Sequence, residues 1–464
     1  AVELMDNHVL ECTKSNKEQE ANRYFVVGEP KTILITEFAE DSIEKLEEKL
    51  TKSIKDLKEK NLGYAYPIIR GDEITKVWNL RKAGLGLLSN IPGDAKSVTV
   101  IEDTAVHVEQ LPEYIAEIDQ VFSKNGMTCI YHAHIGTGEL HLRPVLNLKS
   151  KDDVKKFRMI AEETVRIVKK YRGSFSGEHG DGRLRGTFIK DLYGERVYGI
   201  LKDVKSTFDP SNIFNPGKIV ESPPMDESFR FEPGESVPEY ETHFDFSGSQ
   251  GLIRTIEKCN GSGDCRKSHL IGGAMCPSYQ ATKNEKNTTR ARANVLREFL
   301  TNPQNKKKPF DQPEIYEILD LCLSCKACKT ECPSSVDMAK LKAEFLSHWY
   351  ENHRIPLRTR VIANITMINQ LGAAIPAFTN IFLKNKAFSR MVSKTLGFSP
   401  DRSLPTLSGR SFKKTAKKEI LQINPGQEKA IGSLCLFIDE FTEFNDGDIG
   451  LKAIKLLTSL GYQI

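Results

Sequence analysis

The sequence predicts an α+β protein: an antiparallel sheet with amphipathic helices in its first half, and a helical domain organised by cysteines behind it. Three observations carry that prediction. Short strand-like runs alternate with longer runs of helical period over residues 1–222, seven of the ten cysteines fall between Cys259 and Cys332, and a stretch rich in Pro, Glu and Gly separates the two patterns. The 464 residues, 39% apolar and 28% charged, suffice for several soluble domains at about 150 residues each. A net charge of +4 diluted over that length does not suggest nucleic acid.

In chain order, "KTILITEF" (31–38) reads as a strand, and "DSIEKLEEKLTKSIKDLKEK" (41–60) places apolar residues at helical spacing among charges. Then come strand-like "SVTVIED" (97–103), a helix from about Pro112 to Lys124, the strands "MTCIYHAHI" (127–135) and "ELHLRPVLNL" (139–148), and a long helix from about Asp152 to Tyr171. The expected arrangement puts the helices on one face of the sheet. The domain closes near "FDPSNIFNPGKIV" (208–220), which sets domain one at 1–222 and a linker or strap at 223–250. A cysteine domain at 251–350 and a helical extension at 351–430 follow. Residues 431–464 read as strand, loop, helix and the approach to another strand, the opening of an α/β domain that is then truncated.

The chain begins "AVELMDNHVLEC", with neither an initiator methionine nor a basic stretch leading into an apolar one. No signal peptide is read, the cytoplasm is the expected compartment, and both ends look cut. The longest uncharged run, 361–383, has the length of a membrane span. Its three Asn, two Thr, Gln370 and Pro376 argue instead for two helical segments packed on protein, with membrane contact peripheral at most.

Cysteine spacing is more specific. "CLSCKACKTECP" runs C-x2-C-x2-C-x3-C-P through Cys322, Cys325, Cys328 and Cys332, the bacterial ferredoxin spacing, and predicts a [4Fe-4S] cluster. A zinc site needs only two C-x2-C pairs and leaves the closing Cys-Pro without a purpose. Upstream, "CNGSGDCRKSHLIGGAMCPSY" keeps Cys259, Cys265 and Cys276-Pro277, with Ser262 where a middle cysteine would stand. If the halves cross as in two-cluster ferredoxins, Cys276 completes the site of Cys322, Cys325 and Cys328. Cys259, Cys265 and Cys332 are then one thiolate short, and a three-iron cluster, a four-iron cluster with a non-cysteine ligand, or no second cluster all stay open. The isolated Cys12, Cys129 and Cys435 read as buried apolar packing.

"YHAHIGTGELHLRP" holds His132, His134 and His141, the last two seven apart across a glycine-containing turn. Such a pair taken alone is more often incidental, yet both rings could face one point from adjacent strand ends. An oxygen ligand from Glu178 would give a site with open positions, as catalytic metals need. Glu178 stands beside His179 in a glycine-rich segment, where backbone can lie close to a ligand.

Together, "SGEHGDG" (176–182), "FDPSNIFNPGKI" (208–219) and the spaced histidines resemble the C-terminal domain of FAD-linked oxidases of the vanillyl-alcohol oxidase type. That group includes D-lactate, glycolate and D-2-hydroxyglutarate dehydrogenases. Followed by "CNGSGDCRK", "MCPSYQATKNEKNTTRARANVLR" and "CLSCKACKTECP", the chain is similar to fused FAD-dependent dehydrogenase and iron–sulfur proteins of bacteria. The resemblance implies FAD, and a divalent metal, zinc, on His134, His141 and Glu178, with His179 as general base. It places Asn215, Gly217 and Lys218, with Glu178, near the flavin. Arg81 would bind the substrate carboxylate and Arg143 would stand beside the substrate. The implied substrate is a small D-2-hydroxy acid, and the implied acceptor beyond the cluster a quinone or a carrier protein. A homo-oligomer is compatible, as is residence at the periphery of the inner membrane face.

Two departures stand out. Where many relatives have "GDGNLH", this chain has "GTGELH", changing Thr137 and Glu139, and Arg143 replaces a frequent asparagine, which puts the identity of the acid in doubt. The family's flavin-binding domain precedes the matching segment, so these residues would supply one wall of a flavin site. Two readings follow: most of a fused dehydrogenase, or an iron–sulfur electron-transfer subunit relying on a partner flavoprotein. The first is favoured, because "SGEHGDG" and a metal triad are of no use to a pure electron carrier.

Overall fold

The structure, a computed structural model, describes residues 1–14, 16–408, 412–423 and 430–464. It forms two compact units, 1–349 and 350–464. In the first, six strands make one antiparallel sheet: β1 (Val2–Asp6), β2 (Thr32–Thr36), β3 (Lys96–Ser97), β4 (Ile101–Ala105), β5 (Cys129–His134) and β6 (Glu139–Leu146). The order is β2-β1-β5-β6-β3, with β4 also paired to β6. The predicted strand at 97–103 is thus divided between β3 and β4, which pair with different parts of β6.

Alternation along the strands sorts the core into two layers. Ala133, Leu140 and Leu142 pack with the helices Leu111–Lys124 and Lys151–Lys170. Met5 and Ile130 point the other way, onto Val9 and Leu10 of the helix Asn7–Lys14 and Leu80 and Leu88 of the helix Glu73–Leu88. Helices therefore cover both faces, where the sequence reading expected one. The helix Glu73–Leu88, unread in the sequence, carries Gly84 and Gly86, which blur its apolar stripe and let other groups approach closely. By contrast, the expected helix Ile43–Glu59, capped by Ser42, buries no residue.

The strap at 223–250 lies along the first unit. Met225 joins its core, Asp226 pairs with Arg158, and Arg230 donates to the Cys259 carbonyl at 2.8 Å. In the second unit, the uncharged run forms three helices rather than two, Leu357–Ala363, Ile365–Gly372 and Pro376–Lys384, broken at Asn364 and before Pro376. Leu371, Ile375, Phe378 and Ile381 of this run are exposed. Among the described residues no helix is long and apolar enough to cross a membrane. Residues 432–433 and 462–463 pair in parallel around the helix Gly447–Ser459, the start of an α/β layer. Residues 409–411 and 424–429 of the expected helical extension lie outside the described residues. Of the isolated cysteines only Cys129 is buried; Cys12 is half-buried and Cys435 exposed, contrary to expectation.

Candidate active site and cysteine cavities

Sheet register assembles the histidines. In the β5–β6 hairpin His132 pairs with His141 and His134 with Glu139, and across β4 His141 also pairs with Glu102. The turn depends on Gly138: its φ is +83°, and a Cβ there would sit 2.0 Å from the Val106 carbonyl oxygen. One step beyond the Leu4–Ala133 pair, the register of β1 on β5 sets Glu3 opposite His134. Alternation turns His132, His134, His141, Arg143 and Glu102 toward the same side.

The loop carrying Glu178 and His179 is pinned by Asp103, which sits at the β-bulge of β4 with φ +86° and no exposure. Its carboxylate accepts from the Glu178 amide at 2.7 Å, the His179 amide at 2.9 Å and Ser176 Oγ at 2.8 Å. Burial opposes its charge, but hydrogen bonds from Glu139 and this loop prevail and hold the carboxyl below its ordinary value. Glu139 goes the other way: burial, then the neighbouring Asp103 and Glu178, push it up to about 8.

So placed, Glu178 Oε1 lies 3.5 Å from both His134 Nε2 and His141 Nε2. The three ligand atoms fall within 4.8 Å of one another. Burial, with the Arg143 cation and the other imidazoles, pushes His141 down to about 4 against the pull of Glu102, so its ring is neutral with a lone pair to offer. Two nitrogens and one oxygen converging from one side are the donor set of a divalent cation with open positions, and these residues fit one. His179, 40% exposed at its side chain, stacks on His141 with ring centroids 5.3 Å apart. Its Nε2 is 3.1 Å from Glu178 Oε1, and its Nδ1 is 3.9 Å from both Glu102 and Asp103.

Behind the ligands stand two buried ion pairs. Arg81 donates from Nε and Nη2 to Glu3 Oε2 at 3.1 and 2.8 Å, and Glu3 accepts from His134 Nδ1 at 2.9 Å. Arg143 grips Glu102 through Nε and Nη2 at 3.0 and 2.9 Å, leaving Nη1 buried without a partner. Both guanidiniums are under one-tenth exposed, so the fork of Arg81 that was expected to take a substrate carboxylate is occupied by Glu3. Asn215 and Lys218 are exposed and Gly217 half-buried; their segment is tied to the glycine-rich loop where Ile219 N donates to the Gly182 carbonyl at 2.7 Å. Glu3, Glu102 and Asp103 were missed in the sequence; the one available signal was an acidic residue inside each apolar strand pattern, "VELMD" and "IEDTA".

The cysteines gather at two adjacent cavities. Cys276, Cys322, Cys325 and Cys328 line one, with Thr289 and Arg292. Cys259, Cys265 and Cys332 line the other, with Ser262, Asp264 and Arg290. Cys276 Sγ accepts from the Thr289 amide at 3.1 Å, at the first residue of the helix Thr289–Thr301, an electropositive end suited to a thiolate. Burial nevertheless raises the thiols of Cys259, Cys276 and Cys332, and pushes Cys328 up to about 11. Bound iron is what would make thiolates of such buried groups, and four cysteines lining one cavity fit a cubane.

Comparison with known proteins agrees with this division. Residues 1–219 match the family "FAD linked oxidases, C-terminal domain". Over that segment the chain is similar to that family. Residues 255–336 match the "4Fe-4S dicluster domain", so a FAD-linked oxidase C-terminal domain is joined here to an iron–sulfur domain. Relatives named D-2-hydroxyglutarate dehydrogenase include one from Haemophilus influenzae, 28% identical over 100% of this chain and 49% of that protein. Another, from Escherichia coli, is 27% identical over 84% of this chain and 42% of its own length. A D-lactate dehydrogenase of Archaeoglobus fulgidus is 28% identical over 28% of each chain. The chain spans about half the length of the curated full-length relatives it matches.

Proposed function

We propose that this chain is the substrate-oxidising and electron-relaying part of a FAD-dependent dehydrogenase. Its substrate is a D-2-hydroxy acid, with D-2-hydroxyglutarate ahead of D-lactate and glycolate, and its electrons leave through an iron–sulfur site to a quinone or carrier protein. The observation that carries the reading is the convergence of His134, His141 and Glu178 beside His179, in the same compact unit as the cysteine cavities. When bound, a divalent cation such as zinc supplies Lewis acidity, FAD a two-electron acceptor and the cluster a one-electron relay.

The chain's own residues have distinct tasks. His134, His141 and Glu178 would hold the cation, which would supply Lewis acidity to the substrate hydroxyl. His179 takes the hydroxyl proton; Glu102 and Asp103, both near its Nδ1, stabilise the imidazolium that results. Arg81 and Arg143 act through Glu3 and Glu102 as positioning residues. Gly180 and Gly182, both with positive φ and with open space where a Cβ would go, leave bare backbone for a flat ring to rest on.

In a full-length form, His179→Ala should slow substrate-driven flavin bleaching by about 10²–10⁴-fold while leaving the cluster absorbance intact. Stopped-flow spectra with D-2-hydroxyglutarate and with D-lactate check this and rank the two acids. Unchanged bleaching in the variant would remove His179 from the mechanism, and no bleaching of the wild type by either acid would remove the substrate class.

A further inference from the structure

We propose that the cavity lined by Cys259, Cys265 and Cys332 holds a cluster in which one iron has no thiolate, so that this site interconverts between [4Fe-4S] and [3Fe-4S] forms while the four-cysteine cavity does not. The proposal rests on the iron–sulfur reading above and specifies which of the two sites is labile. Two cubanes need eight thiolates, and the two cavities offer four and three.

The missing corner is not filled by a waiting oxygen ligand. Ser262 occupies the position of the absent cysteine, and its Oγ donates to Asp264 Oδ2 at 2.9 Å. Lys267 Nζ lies 2.8 Å from Asp264 Oδ1. The side-chain oxygens of Ser262 and Asp264 are therefore engaged with each other and with a cation. Ser262 is exposed, so water reaches this corner, whereas Cys259, Cys265 and Cys332 are each under one-tenth exposed. An iron held there by water or a weak oxygen contact is the first to leave on oxidation. The balanced step is one-electron oxidation of the [4Fe-4S]2+ form to [3Fe-4S]+ with release of Fe2+, the electron going to an added oxidant such as ferricyanide.

The three-cysteine cavity also abuts the oxidase domain. Pro333, next to Cys332, packs on Gly86, where a Cβ would come within 2.1 Å of the Pro333 Cβ, and Asn90 Nδ2 donates to the Pro333 carbonyl at 3.2 Å. Gly86 follows Arg81 by five residues on one helix, about 7.5 Å along its axis.

The test uses the chain reconstituted anaerobically with iron and sulfide, with iron counting and EPR before and after stoichiometric ferricyanide. The expected result is loss of one iron per chain and the appearance of a three-iron EPR signal. That signal should be kept in Cys325→Ala, absent in Cys332→Ala, and suppressed in Ser262→Cys, which restores the thiolate. Retention of all iron without a three-iron signal would overturn the proposal, as would a three-iron signal that vanishes in Cys325→Ala but survives in Cys332→Ala. An iron content unaffected by Cys332→Ala would show the cavity to be empty and also overturn it. Reconstituted wild type without iron would instead refute the iron–sulfur reading as a whole.

Discussion

The histidine site and the cysteine cavities are built by opposite means. Histidine ligands stand on strands whose register fixes them, and the loop that adds Glu178 is pinned by three hydrogen bonds to Asp103. Cysteine ligands stand on loops and short helix ends, where the backbone enters the left-handed region at Cys276 (+56°) and at Ser324 (+54°) and Lys326 (+62°) on either side of Cys325. Such backbone costs conformational strain, and burial raises the thiols of Cys276 and Cys328. The difference teaches where order comes from: the sheet orients its ligands before an ion arrives, whereas the loops need the ion to be ordered.

The largest effect expected from this contrast is on removing the ions. Stripping iron anaerobically should melt the segment 259–332, seen as lost helical circular dichroism and new protease cuts between Cys322 and Cys332, because structural metal sites carry about 10 kcal/mol or more of folding free energy. Chelating the divalent cation should leave the sheet folded. Equal protection of both regions after both treatments would erase the contrast. Next in size is Arg81→Ala, which leaves Glu3 buried without its cation and should cost about 3–5 kcal/mol in denaturant unfolding. The double variant Glu3→Leu with Arg81→Leu should recover much of that loss; if it unfolds as readily as the single variant, the pair is more than a compensated charge.

Legibility in the sequence followed the same divide. Cysteine spacing is local, so the ferredoxin run could be read directly, and His134, His141 and Glu178 could be picked out because glycine turns and "SGEHGDG" mark them. Glu3, Glu102 and Asp103 could not, since each acquires its task from a cross-strand partner between 41 and 131 residues away or from a bulge that only pairing creates. The helix Glu73–Leu88 escaped because Gly84 and Gly86 break its apolar stripe, and those glycines are explained only by His132 and Pro333 packing on them. Cys435 shows the converse limit: a cysteine in an apolar run was read as buried and is exposed, in the irregular segment that follows the short strand at 432–433.

The smallest expected effect is the sharpest probe of whether register alone suffices. Glu3→Gln keeps the size of the side chain and an acceptor for His134 Nδ1–H, but removes the charge that Arg81 holds in place. If the carboxylate selects the tautomer that leaves the His134 Nε2 lone pair facing Glu178, the variant should fold normally and bind zinc about 10–100-fold more weakly by competition with a chromophoric chelator. Glu3→Asp, which keeps the charge and shortens the reach, should recover part of the loss. Unaltered zinc affinity in Glu3→Gln would mean that strand pairing by itself presents His134, and that the buried Arg81–Glu3 pair serves the fold instead of the site.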